Sequence, residues 1–180
     1  IGEGGRGTAS YYGLEDEIDI YMGTFSKSFA SLGGYMAASA RICEHVRTHS
    51  RPYIFSASVT PVGIATAMAS LRYLEAHPEL PQQLLSISQY MRDELHRRGV
   101  AIIDADTPII PIYTYDNIIT LQAQKEIYDR GVYVNATLPP ACAPGSCLLR
   151  CSLMATHTKE LVDEAVEIIA DVLSHYDLNQ

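Results

Sequence analysis

Apolar residues recur with period two over Glu17–Gly23 and again over Gly34–Ser39, which predicts two short strands separated by a Ser/Gly-rich loop. The following stretch Arg41–Ser50 predicts a helix, and Tyr53–Pro61 an extended segment whose final proline opens the next helix. Pro61–Ala76 is rich in Ala, Leu and Met with few charges, the pattern of a helix packed on most sides, and His77-Pro78 ends it. Leu80–Arg98 places Leu84, Leu85, Ile87, Met91 and Leu95 among polar residues as an amphipathic helix that stops at Gly99. Beyond it a regular series is predicted: strands at 100–104 and 108–115, a helix at 119–130, strands at 132–136 and 147–153, and a helix at 158–174. Strands alternating with helices indicate an α/β or α+β lobe from about residue 80 onward.

This pattern divides the chain at 1–78 and 79–180. The first part holds too few strands to complete a sheet, so it is expected to draw partners from another segment or another chain. The glycine-dense opening Ile1–Thr8 reads as a loop entered from structure already under way, and the 180 residues are expected to be the C-terminal part of a longer protein. No internal repeat or low-complexity tract interrupts the chain.

Composition narrows the function. With 47% apolar and 19% charged residues the chain has the balance of a globular domain, and its net charge of −8 disfavours binding to a phosphate backbone. No nucleic-acid partner is expected. No run is long and apolar enough to span a membrane, and a cytoplasmic location is expected. Cys43, Cys142, Cys147 and Cys151 lack CxxC spacing and read as reduced packing residues, although the last three lie close together in sequence. His45 and His49 stand one helical turn apart, which suits either two metal ligands or a solvated face; without an acidic residue between them the solvated face is favoured, and no metal site is expected.

Lys27 stands out. Lysine occurs only at 27, 125 and 159, and Lys27 is the one charge within Gly23–Ala38, flanked along the chain by Asp19 and Arg41. An ammonium enclosed without a partner loses its proton and becomes a nucleophile, whereas one at a loop tip is ordinary. Arg150 is a second isolated charge, set in the apolar strand Cys147–Leu153, where a guanidinium serves either a structural salt bridge or the paired recognition of a carboxylate.

The run Thr24-Phe25-Ser26-Lys27-Ser28-Phe29-Ala30 with Gly33-Gly34 resembles the lysine signature of the class-II pyridoxal-phosphate enzymes. Together with Gly5–Thr8, Arg51–Pro61 and Val134–Thr158 it is similar to the α-oxoamine synthases, with wording nearest the bacterial serine palmitoyltransferases. The resemblance extends from Gly2 to the final helix. It implies an α/β fold, the C-terminal part of a fold-type I transferase: the end of the large cofactor domain (1–78) followed by a small α+β domain (79–180). It also implies a PLP-dependent acyltransferase that condenses serine, glycine or alanine with an acyl-CoA and releases carbon dioxide. On this basis Lys27 carries pyridoxal 5'-phosphate and moves the substrate proton, Thr24 binds the cofactor phosphate, and Arg150 binds the substrate carboxylate. Ala57 and Ser58 match positions that reach the phosphate of a neighbouring subunit, which implies a homodimer; Ser58 is equally suited to cap the helix that follows. Pro139–Ala141 matches a substrate-contacting loop. The family's pyridine-binding aspartate and ring-stacking histidine would precede Ile1. An 8-amino-7-oxononanoate synthase, a glycine C-acetyltransferase, a class-II aminotransferase and a non-catalytic dimerising lobe are the alternatives.

Overall fold

The computed structural model describes residues 1–178, which form two compact units, Ile1–Glu79 and Leu80 onward.

In the first unit, short 3-10 turns at Glu3–Gly5 and Glu15–Glu17 flank helix α1 (Thr8–Tyr12). The opening Ile1–Thr8, expected as a loop, contains the 3-10 turn Glu3–Gly5, and α1 beyond it is closed by Gly13 in the left-handed conformation at φ 66°. Strands β1 (Ile20–Thr24) and β2 (Gly34–Ala38) pair antiparallel, with Gly23 opposite Tyr35 and Thr24 opposite Gly34. The glycine at 23 leaves room for the Tyr35 ring to lie across the strand, and a Cβ there would collide with it. Helix α2 (Ala40–His49) begins at Ser39, whose hydroxyl accepts from the Ile42 amide at 3.4 Å. Arg51–Ile54 forms the single-turn helix α3, so the predicted extended segment begins only after Phe55; Pro52 sits in the first turn, where its missing N–H costs nothing.

Helix α4 (Pro61–Ala76) has Pro61 in its first turn and Thr60 as its cap, with the Thr60 hydroxyl accepting from Gly63 N at 3.2 Å. The capping role offered to Ser58 therefore belongs to Thr60. Among the described residues of this unit only Ala67 is buried, while Met22, Leu32, Phe55, Val62 and Tyr73 lie exposed. Burying an apolar side chain of this size is worth about 1.5–3 kcal/mol, so these residues form half of a core.

The second unit runs α5 (Leu80–Arg97), β3 (Ile109–Tyr115), α6 (Asn117–Asp129), β4 (Asn135–Thr137), β5 (Cys147–Ser152) and α7 (Lys159–Ser174). The three strands form an antiparallel sheet in the order β3-β5-β4. Alternation decides which side faces the helices: Ile110, Ile112 and Thr114 of β3 and Cys147, Leu149 and Cys151 of β5 point inward and are buried. Ile110, Ile112, Leu149 and Cys151 meet Ile87, Met91 and Leu95 of α5, Ala123 and Ile127 of α6, and Val162, Val166, Ile169 and Val172 of α7 in one core.

Local chemistry shifts several boundaries. The Asp116 carboxylate accepts from Ile118 N at 2.8 Å and Ile119 N at 3.0 Å, so α6 begins at Asn117 rather than Ile119. Gly131, at φ 96°, and Val132 close the end of α6 through Val132 N to Ile127 O at 3.1 Å, which delays β4 to Asn135. The strand predicted at 100–104 is reduced to an isolated bridge between Ile102 and Ile112. Ile103 N donates to Pro111 O at 2.9 Å, but Pro111 has no N–H to return the bond, and the ladder stops there. Thr158 caps α7 by accepting from Leu161 N at 3.4 Å, and Lys159 becomes its first helical residue.

Candidate functional site

The loop Phe25–Gly33 joins β1 to β2 and carries Lys27. Phe25 N donates to Gly33 O at 2.8 Å and Ser31 N to Phe25 O at 2.9 Å, so the loop is closed on itself at its base. Phe25 stacks on Tyr35, ring centroids 5.9 Å apart, and meets Phe29 edge-on at 6.2 Å. Two serine hydroxyls fasten the loop to α4: Ser31 Oγ donates to Gly63 O at 2.7 Å and Ser70 Oγ to Phe29 O at 3.2 Å. Gly33 adopts φ 91°, and a Cβ there would lie 2.5 Å from Val59 Cγ2. The small residues around the lysine thus allow a close turn over neighbouring backbone.

Within this frame Lys27 Nζ donates to Ser26 Oγ at 3.4 Å, and Ser26 Oγ donates to Thr24 Oγ1 at 3.4 Å. A primary amine and two hydroxyls therefore stand in a row along the end of β1. All three side chains are exposed in this chain, as a loop between two short strands leaves them. The amine and hydroxyls are the donor set that an aldehyde-bearing phosphate requires, and the residues fit such a group. Ser26 stands within the lysine motif without a role of its own; the structure places its hydroxyl between Lys27 and Thr24. Ala57 and Ser58 lie in the exposed extended link between α3 and α4.

Arg150 belongs to the second unit. It occupies the face of β5 turned away from the helices, is exposed, and has no salt bridge among the described residues. Pro111 is its partner on β3 and Asn135 its partner on β4, so the guanidinium stands mid-sheet in a cross-strand row. Its charge is excluded from the core because Leu149 and Cys151 on either side take the inward positions. Tyr113 and Tyr115 stack near one end of this face, centroids 5.2 Å apart. The apolar cavity of about 580 Å³ in this unit is lined by Met91, Val134, Met154, Val162 and Ile169 among others and does not include Arg150.

Pro139–Ala141 lies in the β4–β5 loop, next to a concavity lined by Tyr115, Asp116, Asn117, Pro139, Pro144 and Gly145. His45 and His49 are exposed on α2 with their rings stacked 4.4 Å apart. Among the described residues no three His, Cys, Asp or Glu side chains gather as a metal site. No helix among them is long and apolar enough to cross a membrane.

The family model for aminotransferase class I and II matches residues 2–169. The chain is 42% identical over 178 residues to a serine palmitoyltransferase of Bacteroides ovatus, covering 99% of this chain and 45% of that protein. It is 36% identical over 174 residues to an 8-amino-7-oxononanoate synthase of Geotalea daltonii, covering 96% of this chain and 44% of that one. Among solved structures, a high-resolution SPT with a PLP internal aldimine superposes with a TM-score of 0.88 at 34% identity, over 96% of this chain and 44% of that one. The serine palmitoyltransferase of Sphingomonas wittichii gives 0.87 at 33% identity with the same coverage. The chain therefore spans less than half the length of each of these four relatives, and the expected α/β fold, part of a fold-type I transferase, is the fold observed. With the lysine loop, the mid-sheet arginine and a match over nearly all its length, this chain belongs to the aminotransferase class I and II family.

Proposed function

We propose that the protein containing this chain is a pyridoxal-phosphate-dependent α-oxoamine synthase of the serine palmitoyltransferase type, joining serine to a long-chain acyl-CoA with loss of carbon dioxide in sphingolipid biosynthesis. The observation that carries this reading is the row Lys27–Ser26–Thr24 on a loop pinned to β2 and α4. The 42% identity to a serine palmitoyltransferase supports the choice of substrates.

Lys27 would hold the cofactor and exchange the proton at its Nζ, Thr24 would bind the phosphate, and Arg150 would orient the amino-acid carboxylate through two parallel hydrogen bonds. When bound, pyridoxal phosphate supplies an electron sink for the substrate carbanion. Ala57 and Ser58 would reach the phosphate of a second subunit in a homodimer. Residues 1–78 would end the large cofactor domain and 79–180 form the small one. A cytoplasmic location belongs to the same reading, in keeping with four cysteines free of disulfides.

The 36% identity to an 8-amino-7-oxononanoate synthase favours a second reading in which the amino acid is alanine and the acyl group differs. The exposed half-core of the first unit favours a third, that the 180 residues alone are inactive.

Purified full-length protein should show the absorbance of a lysine-bound pyridoxal phosphate, lost in Lys27→Ala, and should release CoA from serine plus palmitoyl-CoA. CoA release with alanine but not serine would favour the second reading. Formation of a keto acid without CoA release would overturn the synthase assignment in favour of an aminotransferase. An absorbance indifferent to Lys27→Ala would remove the lysine from its role.

A further inference from the structure

The outward face of the three-stranded sheet sets a polar side chain beside Arg150. Cross-strand partners share one face of a sheet, and the register puts Asn135 of β4 directly opposite Arg150. The Cβ atoms of such a pair lie about 4.5–5.5 Å apart. On its other flank Arg150 meets Pro111, whose ring has no polar group. Among the described residues Arg150 has neither an ion pair nor a side-chain hydrogen bond, so its donors are open to a ligand. Asn135 is fixed through its neighbours. Val134 before it is buried in the core, and Gln124 Nε2 of α6 donates to the Val134 carbonyl at 2.9 Å. Asn135 Nδ2 donates to the Tyr133 phenol oxygen at 3.1 Å, and the Tyr133 ring meets Tyr128 of α6 edge-on, centroids 6.4 Å apart. With Nδ2 engaged there, Asn135 Oδ1 accepts no hydrogen bond among the described residues. The hydroxyls of Thr137 and Ser152 share this face but stand two residues further along β4 and β5, about 7 Å along the strands.

We propose that Asn135 reads the β-hydroxyl of the amino-acid substrate and so selects serine over alanine. The inference rests on the reading above in which Arg150 takes the amino-acid carboxylate. In a β-hydroxy amino acid the hydroxyl is borne on the carbon next to the one that carries the carboxylate. A guanidinium that grips the carboxylate therefore leaves the hydroxyl within reach only of groups beside that guanidinium. Asn135 is such a group: its Oδ1 accepts the substrate O–H while Tyr133 holds the amide by Nδ2. Alanine would leave this half-buried acceptor without a partner. A site built around a substrate hydroxyl rejects the analogue that lacks it far more strongly than an apolar pocket rejects an added group. Tyr133 acts through Asn135 and is a positioning residue.

Full-length protein with pyridoxal phosphate bound is titrated with L-serine and with L-alanine by calorimetry. The parent should bind serine about tenfold more tightly than alanine, or better. Asn135→Leu, close in size but without the amide, should bring the two affinities within about twofold of each other, mainly by weakening serine. Its circular dichroism and cofactor absorbance should match the parent. Tyr133→Phe leaves Asn135 in place and serves as the second variant should the leucine protein misfold; it should narrow the same gap by a smaller factor. Ser152→Ala should keep the gap of the parent. A parent that binds alanine as tightly as serine, a gap intact in Asn135→Leu or in Tyr133→Phe, or a gap lost in Ser152→Ala would each overturn the proposal. Arg150→Lys separates this inference from the reading beneath it. Unchanged affinity for both amino acids in Arg150→Lys would remove the carboxylate role of Arg150 and the role of Asn135 with it. Weaker binding of both there, beside an intact gap in Asn135→Leu, would remove the role of Asn135 alone.

Discussion

Ser31 Oγ donates to the carbonyl of Gly63 at 2.7 Å, across 32 residues of sequence, and ties the loop that carries Lys27 to the first turn of α4. A hydrogen bond of this kind contributes about 0.5–1.5 kcal/mol net. Ser31→Ala in the full-length protein should therefore raise amide hydrogen exchange in the loop Phe25–Gly33 more than in the core of the second unit. Equal exchange in variant and parent would show that the tie does not hold the loop.

Gly33→Ala is expected to destabilise the first unit by about 1–3 kcal/mol, because φ 91° is unfavourable for a residue with a Cβ and that atom would press on Val59. Denaturant unfolding measures the loss. Adding Val59→Ala should recover the part due to the clash and leave the part due to the backbone, so complete recovery would contradict the conformational contribution.

Arg150→Lys keeps the charge but removes the planar fork that a carboxylate accepts. If Arg150 binds the amino-acid substrate, KM for that substrate should rise about 10- to 100-fold, the equivalent of roughly 1.5–3 kcal/mol for a charge-assisted contact, while the cofactor absorbance stays unchanged. A change in the absorbance with KM intact would assign the residue to a different task.

Arg130 Nη1 donates to Asp171 Oδ2 at 2.6 Å, and this bond holds the Asp171 carboxyl below its ordinary range. His175 Nε2 lies 4.0 Å from the same carboxylate and its Nδ1 3.0 Å from Glu126, so α6 and the end of α7 share one charge cluster. A carboxyl with a depressed folded-state pKa stabilises above its unfolded value, about 3.9 for aspartate, and that contribution fades as pH falls through the folded value. The Tm of Arg130→Ala should accordingly fall further below that of the parent at pH 7 than at pH 3, and less so in high salt. A difference independent of pH would point to packing of the arginine stem.

Periodicity in the sequence determined most of the elements, because the alternation in β3 and β5 and the helical spacing in α5 and α7 follow from which side chains must leave water. The same local information carried the lysine motif and the isolated arginine, since both are departures from an otherwise small or apolar setting. Tertiary structure decided what depends on residues distant along the chain. Pro111 cut short the strand expected at 100–104 because a ladder needs a donor on the neighbouring strand, which no local pattern reveals. Ser31 and Ser70 became anchors only when α4 packed under the loop, and the Cys142 thiol reached the Thr137 carbonyl only when two turns folded the β4–β5 connection back on itself. Lys27 was legible from its sequence neighbours both as chemistry and as a residue of the loop between two strands, whereas what covers that loop is a tertiary matter, and the first unit buries little of its own apolar surface.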